Sequence, residues 1–549
     1  MRSFLLAAVA ALSLTAPVLA VPPIMPSAPP PQAPARLLIA ISVDQLSGDL
    51  FDQYRASFTG GFARLANEGT LFVNGYQSHA ATETCPGHST LLTGRHPAAT
   101  GIVANEWIDQ GAARADKRIY CSEDENRPGS TFTDYQVSPL HLRVQTPGDR
   151  LKAVSPQSRS VAVAGKDRAA VMMGGRSVDQ RWYWDGKVWN TDLGKAQPRS
   201  IAALNQLFAA RLAQASEPLV PPAACTARAK PYTVAPNLTV GNGTLQRAAG
   251  DARFVRAHPD FDGAVLAGAA ALVNELGLGR GAATTDVLAV GLSATDYVGH
   301  AYGSGGQEMC LQLLALDREL GDFLSRMDQT GVDYAVVLSA DHGGMDIAER
   351  LKDHGNPRAQ RADAALAAPE LGKLLAPQFG RTEPVLLGTG IGGDVWLDRR
   401  LDSASTPRVL AAAVQRYRAH PQVHAVYTRA EIMKVPLPSG APDKWSVIQR
   451  VRASFDPARS GDLYVVLKEF VSPIARPGPG YTATHGSVWD YDRRLPIIFW
   501  RKGAAPAVRS EAVDTVDILP TVGPMIGLAV PAASVDGRCL QGAVGVRCP

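Results

Sequence analysis

The stretch "ARLLIAISVD" (35–44) decides the fold: from Leu37 it is apolar but for Ser42, and it closes on Asp44. A strand with one wet face alternates polar and apolar residues, so a run without alternation belongs inside a sheet covered on both faces. The same shape returns in "TDVLAVGLSATD" (285–296) and "VDYAVVLSADHGG" (332–344). Between them, "DGAVLAGAAALVNELG" (262–277) and "EMCLQLLALDRELGDFLSRMD" (308–328) read as helices, the second with apolar residues at three- and four-residue steps. Strands alternating with helices predict an α/β fold with a mostly parallel central sheet flanked by helices. Open sheets of this kind bind ligands beyond the carboxyl ends of their strands, so Asp44, Asp296 and Asp341 are expected to face one crevice.

At 549 residues the chain has room for one enlarged domain carrying insertions. The first twenty residues, "MRSFLLAAVAALSLTAPVLA", hold one Arg, a short apolar run and a Val-Leu-Ala end, the pattern of a signal peptide cleaved after Ala20. Residues 21–35, "VPPIMPSAPPPQAPA", read as an extended Pro-rich linker. Residues 36–549 then form one catalytic domain, with insertions or a cap near 110–160, 175–260 and 375–480, where Pro, Gly and polar residues gather. A periplasmic or secreted protein without a membrane span in its mature form is expected. Loss of Arg2 with the signal leaves 54 basic against 51 acidic residues, a net charge of +3, too near neutral for general nucleic-acid binding. Six cysteines in an exported chain predict disulfides. "CLQGAVGVRC" would close Cys539 onto Cys548 as a short loop, and the other pairings stay open. With no CxxC pair, a thiolate zinc site is not expected.

Asp296 and His300 in "TDYVGHAYG" are four apart, so on a helical turn both side chains reach one metal. Taken alone, such pairs often only hydrogen bond. Asp341-His342 ends a buried strand and precedes Gly343-Gly344, where missing side chains would let a bulky ligand approach. His485 is a loop histidine in "GYTATHGSVWD". Grouped as donors, Asp44, Asp341 and His342 would hold one ion, and Asp296, His300 and His485 a second, each with an open position. Two such ions clamp the attacking and leaving oxygens of a displacement at phosphorus. A nucleophile is then needed, and "SHAATETCPGHSTLLTGRHP" (78–97) offers Thr84 and Cys85 at a probable helix start, where backbone N–H groups attract a phosphoryl group. His79, His88 and His354 are read as packing, hydrogen-bonding or loop residues.

The ordered set Asp44, "TETCPGH", "NEW", "KDR", "DYVGH", "ADHGG" and "THGS" resembles the alkaline phosphatase superfamily, and within it the PafA-type alkaline phosphatases, relatives of the nucleotide pyrophosphatase/phosphodiesterases. The likeness runs over most of 36–530. It implies an alkaline-phosphatase-like core, two zinc ions on the six ligands above, and phosphorylation of Thr84, with Cys85 a variable position. Pro86 directly follows Cys85 and no Arg lies two residues beyond it, so the sulfatase pattern of that superfamily does not fit. By the same resemblance, Asn105 hydrogen bonds a phosphoryl oxygen and Lys166 and Arg168 mark the monoesterases. Physically, a monoester dianion has one more anionic oxygen than a diester, and two cations aimed there favour it. The expected activity is therefore hydrolysis of small phosphate monoesters through a phosphothreonine. Two rivals remain: a phosphodiesterase or nucleotide pyrophosphatase on the same metals and Thr84, and a phosphate-binding protein with an inactive site.

Overall fold

A computed structural model describes residues 33–281 and 284–549. The expected signal peptide and residues 21–32 of the linker lie outside the described residues. Ten strands form the central sheet: β1 Leu37–Val43, β2 Thr70–Tyr76, β3 Ser160–Ala164, β4 Gln180–Trp184, β5 Trp189–Asn190, β6 Asp286–Leu292, β7 Tyr334–Ser339, β8 Arg494–Arg501, β9 Ala507–Arg509 and β10 Val513–Asp514. Their order is β9-β2-β8-β7-β1-β6-β3-β4-β5, with β10 also paired to β2. Strands β7, β1, β6, β3 and β4 run parallel, β8 runs against both β7 and β2, and β5 against β4. The sheet is mostly parallel and flanked by helices, as the three apolar runs predicted.

Both faces are covered, which is why those runs do not alternate. Leu37, Ile39, Ile41 and Val43 of β1 enter one core with Leu288 and Val290 of β6 and Val336 and Leu338 of β7. The helices α3 (Pro259–Leu276) and α5 (Gln307–Gln329) close that face. Leu38 and Ala40 enter the opposite core, under α1 (Thr84–Thr93), α2 (Asp167–Gly174) and α6 (Ile518–Met525). Each fully buried Leu or Ile contributes roughly 1.5–3 kcal/mol of transfer free energy, so the double covering is the main source of the sheet's stability. Because β1 pairs β6 on one side and β7 on the other, with Ile41 level with Val290 and Leu338, the three strands end together.

Residues 375–480 carry a separate four-stranded antiparallel sheet, Leu386–Leu387, Gly393–Leu397, Leu463–Leu467 and Val423–Thr428 in spatial order, packed on the helix Ser405–Ala419 over its own apolar cluster. The stretch 175–260 differs from the expectation of an insertion, since it supplies β4 and β5 to the central sheet. Aromatic packing draws it in: Trp184, Trp189 and Phe208 meet tilted or edge to face at 4.7–5.0 Å between centroids and reach Phe261 of α3. Likewise, the end of the 110–160 stretch is helical from Pro147 to Val154 and leads straight into β3. Disulfides join Cys85 to Cys121, Cys225 to Cys310 and Cys539 to Cys548, the last as expected. No described helix is long and apolar enough to cross a membrane.

One buried ion pair sets a pH limit on this fold. His96, in the turn after α1, lies 3.1 Å from Asp514 Oδ2 and 3.2 Å from Asp536 Oδ2. Burial alone would depress its pKa, but the two carboxylates more than offset that and raise it to about 9. A group raised in the folded state contributes fully below its unfolded value near 6.5 and loses that contribution as pH climbs through about 9. We expect this pair to withdraw about 2–3 kcal/mol of stability between pH 7 and 10. Denaturant unfolding across that range checks it: His96→Gln should be less stable at pH 7 and show a flatter dependence, and an unchanged slope would remove His96 from the account.

Candidate active site

The ends of β1, β6 and β7 place three carboxylates in one crevice. Asp44 follows β1, and the next residue, Gln45, turns the chain away with φ of 65°. The Gln45 N–H donates to Asp341 Oδ1 at 3.2 Å, joining the first strand's turn to the third's. Asp296 and His300 lie one turn apart on α4 (Ala294–Tyr302). The start of that helix is held by buried Asp262 of α3, which accepts from Ser293 N at 2.7 Å and Ala294 N at 3.0 Å, satisfying two of its orphan donors. His485 arrives from a loop far along the chain and is anchored on Thr82.

The three histidines share one arrangement. Nδ1 meets a backbone carbonyl in each: Ala483 for His300 at 2.8 Å, Gly343 for His342 at 2.8 Å and Thr82 for His485 at 2.9 Å. A carbonyl only accepts, so the proton resides on Nδ1 and the Nε2 lone pair is presented, the tautomer a metal ligand needs. Those Nε2 atoms face carboxylate oxygens: His300 and His485 lie 3.3 and 3.4 Å from Asp296 Oδ1, and His342 lies 3.1 Å from Asp341 Oδ2. A lone pair so close to a carboxylate repels it unless a proton or a metal cation lies between them. Asp44 Oδ1, Asp296 Oδ1, Asp341 Oδ2 and His342 Nε2 are buried without a hydrogen-bond partner. Lys166 Nζ reaches Asp44 Oδ2 at 2.7 Å and Asp296 Oδ2 at 2.5 Å, but one ammonium does not neutralise three buried carboxylates. Burial and the neighbouring Asp341 push the Asp44 carboxyl up to about 7 even so. The donor set therefore fits metal cations.

Among the described residues, two groups have ligand atoms within 4.8 Å of one another: Asp296, His300 and His485, and Asp44, His88 and Asp341. The first is the expected set. In the second, His88 stands where His342 was expected, but the two histidines present different atoms. His88 Nδ1 hydrogen bonds the Thr84 carbonyl at 2.8 Å, so its proton is directed there while the same nitrogen stands 3.2 Å from Asp341 Oδ2. The ring of His342 stacks on that of His485 at 3.6 Å, which brings the two groups side by side. Gly343 and Gly344 do not open space for a ligand as expected. A Cβ on Gly343 would meet the Tyr491 carbonyl at 2.2 Å, and one on Gly344 the Gln45 side chain at 2.5 Å, so both glycines serve close chain packing.

Thr84 is the first residue of α1, next to these groups. Gly87, one turn on, rests on the end of β7: a Cβ there would come within 2.0 Å of the Asp341 carbonyl, so only glycine lets the helix start approach the crevice. Asn105 accepts from the Cys85 N–H through Oδ1 at 2.8 Å, which commits its oxygen and leaves Nδ2 as a donor. Arg168, on the first turn of α2, has Nη2 3.5 Å from Thr84 Oγ1 and Nη1 3.3 Å from the Tyr120 hydroxyl. The crevice thus gathers Thr84, Asn105, Lys166 and Arg168 around the two ligand groups. It opens into a cavity of about 490 Å³ whose far wall is the second sheet, with Asp394, Trp396 and Tyr464. Sequence reading missed Tyr120, on the short strand Arg118–Tyr120, Asp262 on α3, and Asp167, which sits inside the quoted "KDR" between the two residues singled out there.

Residues 38–488 match the family described as type I phosphodiesterase / nucleotide pyrophosphatase. This chain is similar to alkaline phosphatase PhoK of a Sphingomonas species, 49% identical over 92% of this chain and 91% of that one. It is similar also to alkaline phosphatase PhoD of Zymomonas mobilis, 44% identical over 93% and 88%. In fold it is similar to the crystal structure of wild-type alkaline phosphatase PafA, with a TM-score of 0.81 at 24% identity, over 94% of this chain and all of that one. With relatives this similar, the carboxylate and imidazole groups at the strand ends belong to a phosphoric monoester hydrolase. The chain belongs to the type I phosphodiesterase / nucleotide pyrophosphatase family, and its curated relatives at 44–49% identity are alkaline phosphatases.

Proposed function

We propose that the protein is an exported phosphate monoester hydrolase that works through a phosphothreonine at Thr84. The observation that carries the reading is Thr84 at a helix start that rests on Asp341 through Gly87, with Arg168 Nη2 3.5 Å from its hydroxyl. Asp44, Asp341 and His342 would hold one zinc and Asp296, His300 and His485 the other, the metal following from mixed carboxylate and imidazole donors. Bound there, the ions supply Lewis-acid stabilisation to oxygens on phosphorus.

The chain's own residues do the rest. Thr84 Oγ1 gives up its proton and forms a bond to phosphorus as the bond to the leaving alcohol breaks and that oxygen takes up a proton; the positive end of α1 favours the charge that develops, although Cys85 N is committed to Asn105, Gly87 N to Glu83, and Pro86 has no N–H. Asn105 Nδ2 donates to one phosphoryl oxygen, while Arg168, and Lys166 once metal takes up the charge of its partners Asp44 and Asp296, would carry the charge that a dianion meets and a diester lacks. Water then attacks the phosphothreonine, releasing orthophosphate and restoring the Thr84 hydroxyl. The alkaline phosphatase names of the relatives support the monoester reading, and three disulfides support an oxidising compartment. A second reading, the diesterase, draws support from a polar cavity of about 830 Å³ that reaches Lys166 and Arg168 from another side, with room for a second ester group.

The test is kcat/KM on an aryl phosphate and on the matching aryl methyl phosphate diester. Lys166→Ala should lower monoester hydrolysis on the order of a hundredfold and diester hydrolysis by less than about tenfold. Equal losses would return Lys166 to a structural role, and a faster diester in the native protein would hand the function to the second reading.

A further inference from the structure

Arg168 is useful to a phosphoryl dianion only if its fork is held still and its charge is left unspent. A carboxylate partner would hold it but neutralise it, so the identity of its neighbours matters. The adjacent carboxylate, Asp167, is fully engaged elsewhere. Its Oδ1 accepts from the Tyr120 hydroxyl at 2.8 Å and the Arg168 N–H at 2.7 Å, and its Oδ2 from the Tyr135 hydroxyl at 2.8 Å. Having given its proton to Asp167, the Tyr120 oxygen has only lone pairs left, and one of them receives Arg168 Nη1 at 3.3 Å. Burial and Asp167 hold the Tyr120 phenol well above its ordinary pKa, so this partner stays neutral even in alkaline solution.

Tyr120 is itself tied to the nucleophile's helix. The next residue, Cys121, is bonded to Cys85, which follows Thr84 directly. The Cys121 N–H also donates to the Asn105 carbonyl at 2.9 Å, while the Asn105 side chain accepts from Cys85 N. Thr84, Asn105 and Arg168 are thereby referred to one frame, and the disulfide is its covalent member.

We propose that Tyr120, fixed by the Cys85–Cys121 crosslink, is a positioning residue that holds Arg168 against the phosphoryl site without neutralising it, and so sets the preference for monoesters. The claim rests on the reading of Arg168 given above. Tyr120 acts only through Arg168, so its loss matters only while Arg168 is present.

The experiment is a double-mutant cycle on the metal-loaded enzyme, reading kcat/KM for the aryl phosphate and for its methyl diester. Tyr120→Phe should lower the monoester value about tenfold and the diester value less than about threefold, the scale of one or two lost hydrogen bonds to a charged group. In an Arg168→Ala background the same substitution should change neither by more than about twofold. Joint replacement of Cys85 and Cys121 by Ser should lower the monoester-to-diester ratio in the same direction, with metal content intact. Costs of Tyr120→Phe and Arg168→Ala that add on the monoester would overturn the proposal, as would equal loss of both esters in Tyr120→Phe. Equal loss of both esters in Arg168→Ala overturns instead the reading of Arg168 as a dianion contact, and the cycle still decides whether Tyr120 works through it.

Discussion

Thr84→Ala loses phosphate monoester turnover on the order of ten-thousandfold while its metal content stays that of the native enzyme. The size follows from what is removed: a covalent path through an oriented hydroxyl gives way to attack by an unheld water, and nucleophile deletions in comparable hydrolases cost this much or more. The metal groups should survive because their carboxylate and imidazole ligands all remain, and the nearby His88 meets the Thr84 carbonyl, which alanine keeps. Stopped assays with a phosphate monoester, protein-bound phosphate trapped by acid quench and metal analysis together check it. Thr84→Ser keeps an oxygen at that position and should recover all but about tenfold. Native turnover in Thr84→Ala, or trapped phosphate persisting in it, would take the nucleophile away from this residue.

Asp296→Ala is expected to lose about a thousandfold in turnover together with part of its bound metal. Asp296 is the shared partner in one ligand group: His300 and His485 both present Nε2 to its Oδ1, and Lys166 reaches its Oδ2. Without it, the two imidazoles lose their carboxylate and Lys166 keeps only Asp44, which leaves a poor host for a cation. Removing metal from the native protein with a chelator should reproduce the loss, and excess zinc should rescue the chelated native enzyme but not the variant. Full metal content in Asp296→Ala would show that this group is a hydrogen-bonded cluster and not a ligand set. The two variants are complementary, since the first separates chemistry from metal binding and the second joins them.

The divide between what could be read and what could not follows local against long-range order. Runs such as residues 37–43 declare a doubly covered strand by themselves, because apolar residues on both sides leave no wet face. Asp296 and His300 declare themselves as neighbours because helical spacing brings residues four apart onto one side. The Cys539–Cys548 loop is short enough to close locally. By contrast, β4 and β5 were read as part of an insertion, because their membership of the sheet depends on Trp184, Trp189 and Phe208 meeting Phe261 of a distant helix. The Gly343-Gly344 pair looked like room for a ligand, but Tyr491, Ser47 and Gln45 fill the space from far along the chain.

By itself, then, the sequence determined the α/β class, the crevice at the strand ends and the residue types that gather there, since each depends on periodicity or spacing within a few turns of chain. Only the tertiary structure decided which atoms those residues present. It put Nδ1 of three histidines on backbone carbonyls, tied His88 Nδ1 to the Thr84 carbonyl beside Asp341, and gave Arg168 a neutral phenol as partner. Hydrogen-bond direction depends on what stands opposite, and here the opposite groups come from segments up to 403 residues away.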